Sequence, residues 1–578
     1  MEISHRQVLY RFKPLIIIFI ILISGPWLCA STILKSCRCF PGDLCWPSVS
    51  EWAAFNTSVN GRLISTIPIG SVCHEFFRNQ STYNVSKCTD LQAAWIDPQT
   101  HADTSHSVMA PFWANHSCDP FYPTKSQCVV GTYVQYAVNA SCTSDYQATL
   151  AFATKRNLRL VVRNTGHDYF GKSSGDGALA IWTHHIRDFK FLDYTSKGYT
   201  GKAMVIGAGL QVLEATTLAH IQGLTIVGGA TASVGISGGY TQGGGHGPLL
   251  SKYGFSADQV LEWEVIALDG RHMRASPYRN QALYWALSGG GGGTYGLVLS
   301  MTVRAYPEEV TTAANLTFTN QGVSQDLFYS SVAAFHSILP ALTDAGGVAI
   351  WTLQTTGFNL APATGPGMTK EKMDEIFAPV LQALTDLQIS YSYTSVEFPN
   401  FYESTIAMNN PSETSIFQIG SRLLPRSGLT TNSSELIDAL ASICSYGAGI
   451  SGLAFKAPSN SSFPNSVNPV LRSSMISFVV GTWWNRTDWE ANLENQVLLT
   501  DTLLPLIEEF TPEGGSAYLN EGDIREKEWQ RVFYGDNYKS LLSIKNEVDP
   551  KGLLWGRTAV GSESWAEDSN GRLCRVDI

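Results

Sequence analysis

An α+β architecture in several parts is predicted for this 578-residue chain by three features. The apolar run Leu158 to Val162 reads as a strand that feeds into a small-residue turn, Arg163-Asn164-Thr165-Gly166-His167-Asp168-Tyr169-Phe170-Gly171-Lys172-Ser173-Ser174-Gly175. Two further glycine-rich stretches, beginning at Gly235 and Gly289, also lead toward apolar strands. In the long stretch 309–513, strand patterns at Val348–Leu353 and Ile476–Val480 alternate with helical patterns at Met373–Leu384 and Ser434–Ile443. Pro307 ends the last strand before that stretch, and Pro425 to Thr431 reads as a loop within it.

The first turn carries the most information. Its glycines permit positive φ and close backbone approach to a ligand, and free N–H groups in such a turn converge on an anion. A pyrophosphate suits it. His167 would then lie beside the ring system that the phosphate anchors, and a neutral imidazole is a competent nucleophile toward the methyl carbon of an oxidised flavin. Alone, a Gly-His pair reads as a hydrogen-bonded core histidine. The companion segments change that reading. One is Gly235-Ile236-Ser237-Gly238-Gly239-Tyr240-Thr241-Gln242-Gly243-Gly244-Gly245-His246-Gly247-Pro248-Leu249, followed by Lys252 to Val260 and an alternating strand, Leu261 to Leu268, that closes in Asp269-Gly270. The other is Trp285 to Val298, with five glycines from Gly289 to Gly293.

Together these segments strongly resemble the flavin domain of the berberine-bridge-enzyme-like oxidases, within the vanillyl-alcohol-oxidase superfamily of PCMH-type FAD-binding proteins. Tyr518-Leu519-Asn520-Glu521, Trp529, Phe533 to Tyr538, Leu541, Lys545 and Asp549-Pro550 resemble the family's closing segment. The resemblance implies an FAD-binding domain over 126–308, an inserted antiparallel-sheet substrate domain over 309–513, and a berberine-bridge-type segment over 514–566 that returns to the flavin domain, with a tail over 567–578. It makes His167 the attachment point for the flavin 8α-methyl group, where a ring substituent raises the flavin potential. Arg163, Asn164, Thr165, Gly166, Asp168, Gly171 and Ser173 are carried over as cofactor-binding from the first turn. Gly235, Gly238, Gly239, Gly243, Gly244 and Gly245 follow from the second segment, then Asp258 and Val265, and finally Tyr518 and Asn520. Some relatives add a second link from the cysteine of a Cys-Pro-Thr-Val-Gly run. Here that run is Thr231-Ala232-Ser233-Val234-Gly235, so a single covalent link is expected.

Competing chemistries fare worse. Gly171-Lys172-Ser173-Ser174-Gly175 and Gly235-Ile236-Ser237-Gly238-Gly239 match the spacing of a hydrolase elbow, but neither serine has a convincing set of acid and histidine partners. His184 and His185 are neighbours on a strand and point to opposite faces, and no zinc spacing occurs elsewhere, so no metal is expected. The run 289–293 lacks the Lys-Ser/Thr ending of a P-loop and reads as a loop or wall of the flavin site. A formal charge of −10 with scattered Lys and Arg excludes nucleic acid as a partner.

Arg6, Arg11 and Lys13 precede an apolar run from Leu15 to Ile23, so 1–30 reads as a signal peptide cleaved near Ala30, with an uncleaved membrane anchor as the alternative. Sequons at Asn56, Asn79, Asn84, Asn115, Asn139, Asn315, Asn432, Asn460 and Asn485 point to a glycosylating lumen or to secretion. Eight cysteines, Cys37, Cys39, Cys45, Cys73, Cys88, Cys118, Cys128 and Cys142, crowd the region before the first turn, and an oxidising compartment makes disulfides their default. Sequence leaves their pairing open, as it does that of Cys444 and Cys574. The segment 31–125, with Trp46, Trp52 and Trp95, resembles an extension of fungal family members and is assigned a structural role.

The resemblance also implies hydride transfer from a substrate C–H to FAD, with dioxygen reoxidising the flavin and yielding hydrogen peroxide. Tyr538 is the candidate catalytic residue; for the base itself, Glu397, Tyr402 and Tyr393 lie in a plausible part of the insertion without any one being singled out. A small-molecule substrate and O2 are the expected partners. The fungal-style extension and missing second link resemble the subgroup of isoamyl-alcohol-oxidase-like enzymes and secondary-metabolite oxidases, and a biosynthetic intermediate is preferred slightly over a small aliphatic alcohol. A secreted glycoprotein that keeps the flavin fold only as a binding scaffold is the non-enzymatic alternative.

Overall fold

The strand predicted from Leu158 to Val162 forms as Leu160–Arg163, paired in parallel with Leu179–Trp182, which pairs in parallel with Tyr136–Asn139. The computed structural model describes residues 36–114, 117–409, 412–459, 463–512 and 514–576. Leu63–Ser65 completes this four-stranded sheet, antiparallel to Tyr136–Asn139. A second, five-stranded antiparallel sheet runs in the order His272–Ala275, Val260–Ile266, Leu297–Arg304, Tyr199–Gly207 and Phe189–Ser196. The alternating pattern after Val260 arises because one face of its strand packs on the core: Trp263 and Val265 are fully buried, whereas Glu262 and Glu264 are not.

The insertion folds as a seven-stranded, wholly antiparallel sheet, with Val348–Gln354 and Gly449–Ala454 paired near its centre. Three long helices, Gln325–Asp344, Lys370–Asp386 and Ser433–Ser445, bury apolar stripes against it, with Phe335, Phe377 and Leu440 in the shared core. Each of the first two begins on a hydroxyl cap: Ser324 accepts from the Leu327 N–H and Thr369 from the Lys372 N–H. The expected loop at Pro425 to Thr431 is instead a short helix, Arg426–Thr431. Pro425 stands just ahead of the first turn, where its missing N–H costs nothing.

The cysteine-rich region is sewn down by four disulfides, Cys37–Cys574, Cys39–Cys45, Cys73–Cys88 and Cys118–Cys128, leaving Cys142 and Cys444 as free thiols among the described residues. Cys37–Cys574 joins residues 537 positions apart and pins the two ends of the described chain together. This region also has a second task. Trp52 stacks on Tyr136 with ring centroids 4.1 Å apart, anchoring the extension to the strand that opens the flavin domain. The proposed leader and the sequons at Asn115 and Asn460 lie outside the described residues. Asn79, Asn84, Asn432 and Asn485 are exposed, whereas the Asn139 and Asn315 carbonyl oxygens are buried without a partner. Among the described residues, no helix is long and apolar enough to cross a membrane.

Candidate functional site

The turn after Arg163 is held from both ends. Gly166 takes φ +88°, and a Cβ there would lie 2.7 Å from the Arg163 guanidinium. Arg163 is fully buried and points away from the cavity: Nε donates to the Thr104 carbonyl at 3.1 Å, and Nη2 donates to the carbonyls of His101 and Ser107 at 3.1 and 2.6 Å. The extension therefore buttresses the turn. Trp113, also from the extension, packs where Gly171 admits no side chain and donates its indole N–H to the Tyr169 carbonyl. At the far end, the Asp168 carboxylate accepts from the N–H groups of Phe170, Lys172 and Ser173 and from the Ser173 hydroxyl. That use of Asp168 fixes the loop and accounts for its charge. The N–H groups of Thr165, Gly166, His167 and Asp168 have no acceptor among the described residues, and all four residues line one cavity.

His167 opens into that cavity. Its Nε2 lies 2.8 Å from the Ser233 hydroxyl, which leaves Nδ1 without a protein partner. Burial, reinforced by neighbouring His101 and Arg163, lowers its pKa to about 3, so the imidazole is neutral and nucleophilic at physiological pH.

The two later glycine segments form the facing wall. Ile236–Tyr240 is a single wide helical turn broken at Gly238. The Gln242 carbonyl accepts from the N–H groups of Gly289 and Gly291 at 3.0 and 2.9 Å, tying the glycine run to this turn. Backbone meets backbone there: a Cβ on Gly292 would sit 2.7 Å from Gly239 Cα, whereas Gly239 has open space where its own Cβ would be. Gly292→Ala is therefore expected to push the two segments apart at a cost of about 1–3 kcal/mol. Flavin content per polypeptide and the thermal midpoint should both fall; an unchanged flavin content would show that this contact does not shape the bed.

Asn164, Gly235, Gly238, Gly239, Tyr518 and Asn520 line the cavity, as does Ser173. Other residues expected at the cofactor stand behind the wall. Gly243 faces Asn520, and Gly245 donates its N–H to the Tyr518 hydroxyl at 3.1 Å, while Gly244 lies between Val467 and Tyr518. Asp258 pairs with Arg472 at 2.8 Å and accepts from Asn465, joining the flavin domain to the insertion. Val265 is buried in its strand. Tyr538 is elsewhere altogether: its hydroxyl donates to Glu563 at 2.6 Å and its ring packs on Trp529, so it is withdrawn as a catalytic candidate. Tyr393 donates to Asp374, Glu397 accepts from the Lys370 N–H, and Tyr402 stacks on His220; none lines the cavity.

Two residues were missed from sequence. His246 Nε2 lies 2.9 Å from Glu521 Oε1, across 275 positions, and both line the cavity. Burial opposes the charged imidazole, but the Glu521 charge and hydrogen bond outweigh it and raise the His246 pKa. His246 stood in the Gly-His-Gly stretch and Glu521 beside Asn520; only their meeting was hidden.

The donor set fits an FAD. Unclaimed N–H groups converge in a turn suited to pyrophosphate, and the side-chain carbonyls of Asn164 and Gln242 are buried on the cavity wall without partners. Gly239 leaves the wall flat, and a neutral histidine stands at its edge. Fold and cavity thus define a flavin-dependent oxidoreductase. A family model for the FAD binding domain matches residues 134–276, and a model for berberine and berberine-like proteins matches 517–561. The chain is 54% identical over 543 residues to FAD-linked oxidoreductase sor8 of Hypocrea jecorina, covering 94% of each. It is 42% identical to FAD-linked oxidoreductase patO of Penicillium expansum, covering 94% of this chain and 95% of that one. The crystal structure of VAO-type flavoprotein MtVAO615 from Myceliophthora thermophila C1 matches with TM-score 0.89 at 38% identity, covering 94% of this chain and 100% of that one. The chain belongs to this family of FAD-linked oxidoreductases, which joins VAO-type and berberine-like proteins.

Proposed function

We propose that this protein is a secreted oxidase that carries FAD through a single covalent bond to His167, oxidises a hydroxyl- or amine-bearing secondary-metabolite intermediate, and passes the electrons to dioxygen. The observation that carries this reading is the neutral His167 imidazole, held by Ser233 through Nε2 and facing the cavity with Nδ1 unengaged. Bound FAD supplies hydride acceptance from the substrate C–H and returns the electrons to O2 as hydrogen peroxide. Around it, the Thr165–Asp168 amides would hold the phosphates, and Gly239 and Gly292, which line the same cavity, would bound the ring. Thr231 lines the cavity where a second link would need a thiol, which favours one bond over two. Gly229, Ala230 and Thr231 make that wall low, and this favours a bulky intermediate over a small aliphatic alcohol. Four disulfides and exposed sequons support an oxidising, glycosylating route.

The test begins with the mature protein denatured on a gel. Flavin fluorescence should stay with the polypeptide and map to the peptide containing His167, and peroxide should appear when alcohols and amines are screened. Extractable flavin would refute the bond, and peroxide silence across the panel would refute the oxidase chemistry.

A further inference from the structure

Hydride departure from an alcohol or amine requires somewhere for the O–H or N–H proton to go. The cavity wall offers few takers. Asp168 is consumed by loop amides. Burial pushes the Tyr518 phenol up, with the Glu521 charge adding to it, and burial with Tyr518 and Glu521 nearby does the same to Tyr240. Both phenols therefore stay protonated. Tyr518 already accepts from the Gly245 N–H and from Asn520 Nδ2 at 2.7 Å, which leaves its own proton to donate. Burial likewise keeps the Tyr169 phenol protonated, and Lys172, lowered by burial only to about 8, stays charged at neutral pH with its ammonium 4.9 Å from the centroid of the Phe170 ring, so the remaining pair is His246 and Glu521.

We infer that His246, oriented by Glu521, is the catalytic residue that takes the substrate's hydroxyl or amine proton; the inference rests on the oxidase reading above. Nε2–H donates to the carboxylate, and Nδ1, which has no protein partner, is the accepting atom. Tyr518 packs edge-on against the imidazole, with ring centroids 4.8 Å apart, and Tyr240 donates to the His246 backbone carbonyl at 3.0 Å, fixing the backbone that carries the ring. For an alcohol, the O–H bond breaks with its electron pair left on oxygen, the C–H hydrogen leaves with its pair as hydride to the flavin, and a C=O bond forms. The proton goes to Nδ1. The hydride's proton and two electrons, with the proton returned from His246, convert O2 to hydrogen peroxide. Glu521 favours the charged imidazolium that forms, and it keeps the proton on Nε2 beforehand.

His246→Gln and Glu521→Gln are made in the holoprotein, and covalent flavin fluorescence checks that each has folded and loaded. Anaerobic flavin bleaching is followed by stopped flow with an alcohol that yields peroxide with the wild type. H246Q should slow bleaching by about 10²–10⁴-fold and lose the wild-type dependence on a single base. A second readout needs no turnover: in ¹³C-histidine NMR of the holoprotein, the His246 signal should titrate above the ordinary histidine range and drop in E521Q. Bleaching of H246Q within about threefold of wild type, or a His246 titration unmoved by E521Q, overturns the assignment. Failure of the oxidase reading looks different: wild-type flavin is then bleached by no alcohol or amine in the panel, and the inference falls with it.

Discussion

His167→Ala should abolish flavin fluorescence that stays with the polypeptide in a denaturing gel, while leaving the fold intact. The imidazole spans no secondary-structure ladder, and its one hydrogen bond is to Ser233, so its loss costs little stability. The cradle is untouched: the Thr165–Asp168 amides and the Gly239–Gly292 contact persist, and FAD should still bind in extractable form. Without the 8α substituent the flavin potential falls, and a fall of about 30 mV corresponds to a tenfold change in a two-electron equilibrium. We expect turnover to fall by at least that factor. Ser233→Ala is the informative companion: it removes the partner of Nε2 and should slow attachment without preventing it. A variant H167A that keeps gel-stable fluorescence would sink the assignment.

Acid should unfold this protein steeply, because histidines are buried in neutral form. Burial lowers His101 to about 4, His106 to about 3 and His336 to about 4. His336 sits among Phe335, Trp351 and Phe478 in the insertion core, and His101 and His106 lie in the extension beneath the His167 turn. The sign follows from proton uptake. Between an unfolded value of about 6.5 and these lowered values, the unfolded chain binds more protons than the folded one, so stability rises with pH and is lost as pH falls. Each such histidine contributes up to about 1.4 kcal/mol per pH unit, or about 4 kcal/mol per unit for the three together. The thermal midpoint should be level near pH 7 and drop sharply from pH 6 toward 4. His336→Leu should make that slope shallower; a midpoint constant from pH 7 to 4.5 would exclude this account.

Much of the flavin bed was legible in the order of residues because its constraints are local. A positive φ at Gly166 and the side-chain-to-amide bonds of Asp168 act within short stretches, and residue spacing marks them. The alternating strand after Val260 and the helices after Ser324 and Thr369 were readable for the same reason. Position along the closing segment did not tell Tyr518 from Tyr538. Both are tyrosines of one closing segment twenty positions apart, the first buried and the second partly buried, and only packing sends the first to the cavity and the second to Glu563. Disulfide partners were likewise undetermined, since Cys574 meets Cys37 only after the chain has closed on itself.

The residue order alone carried a strand, a glycine turn with a histidine and two more glycine segments, backbone conformations that few other residues allow, and it was the resemblance of these ordered motifs to a flavin family that pointed to FAD in an α+β protein. Tertiary structure decided which groups face the reaction. His246 and Glu521 come from segments 275 positions apart, and Arg163 is held by carbonyls of a separate extension. Those contacts depend on how sheets and loops pack in three dimensions, and no short-range pattern encodes them.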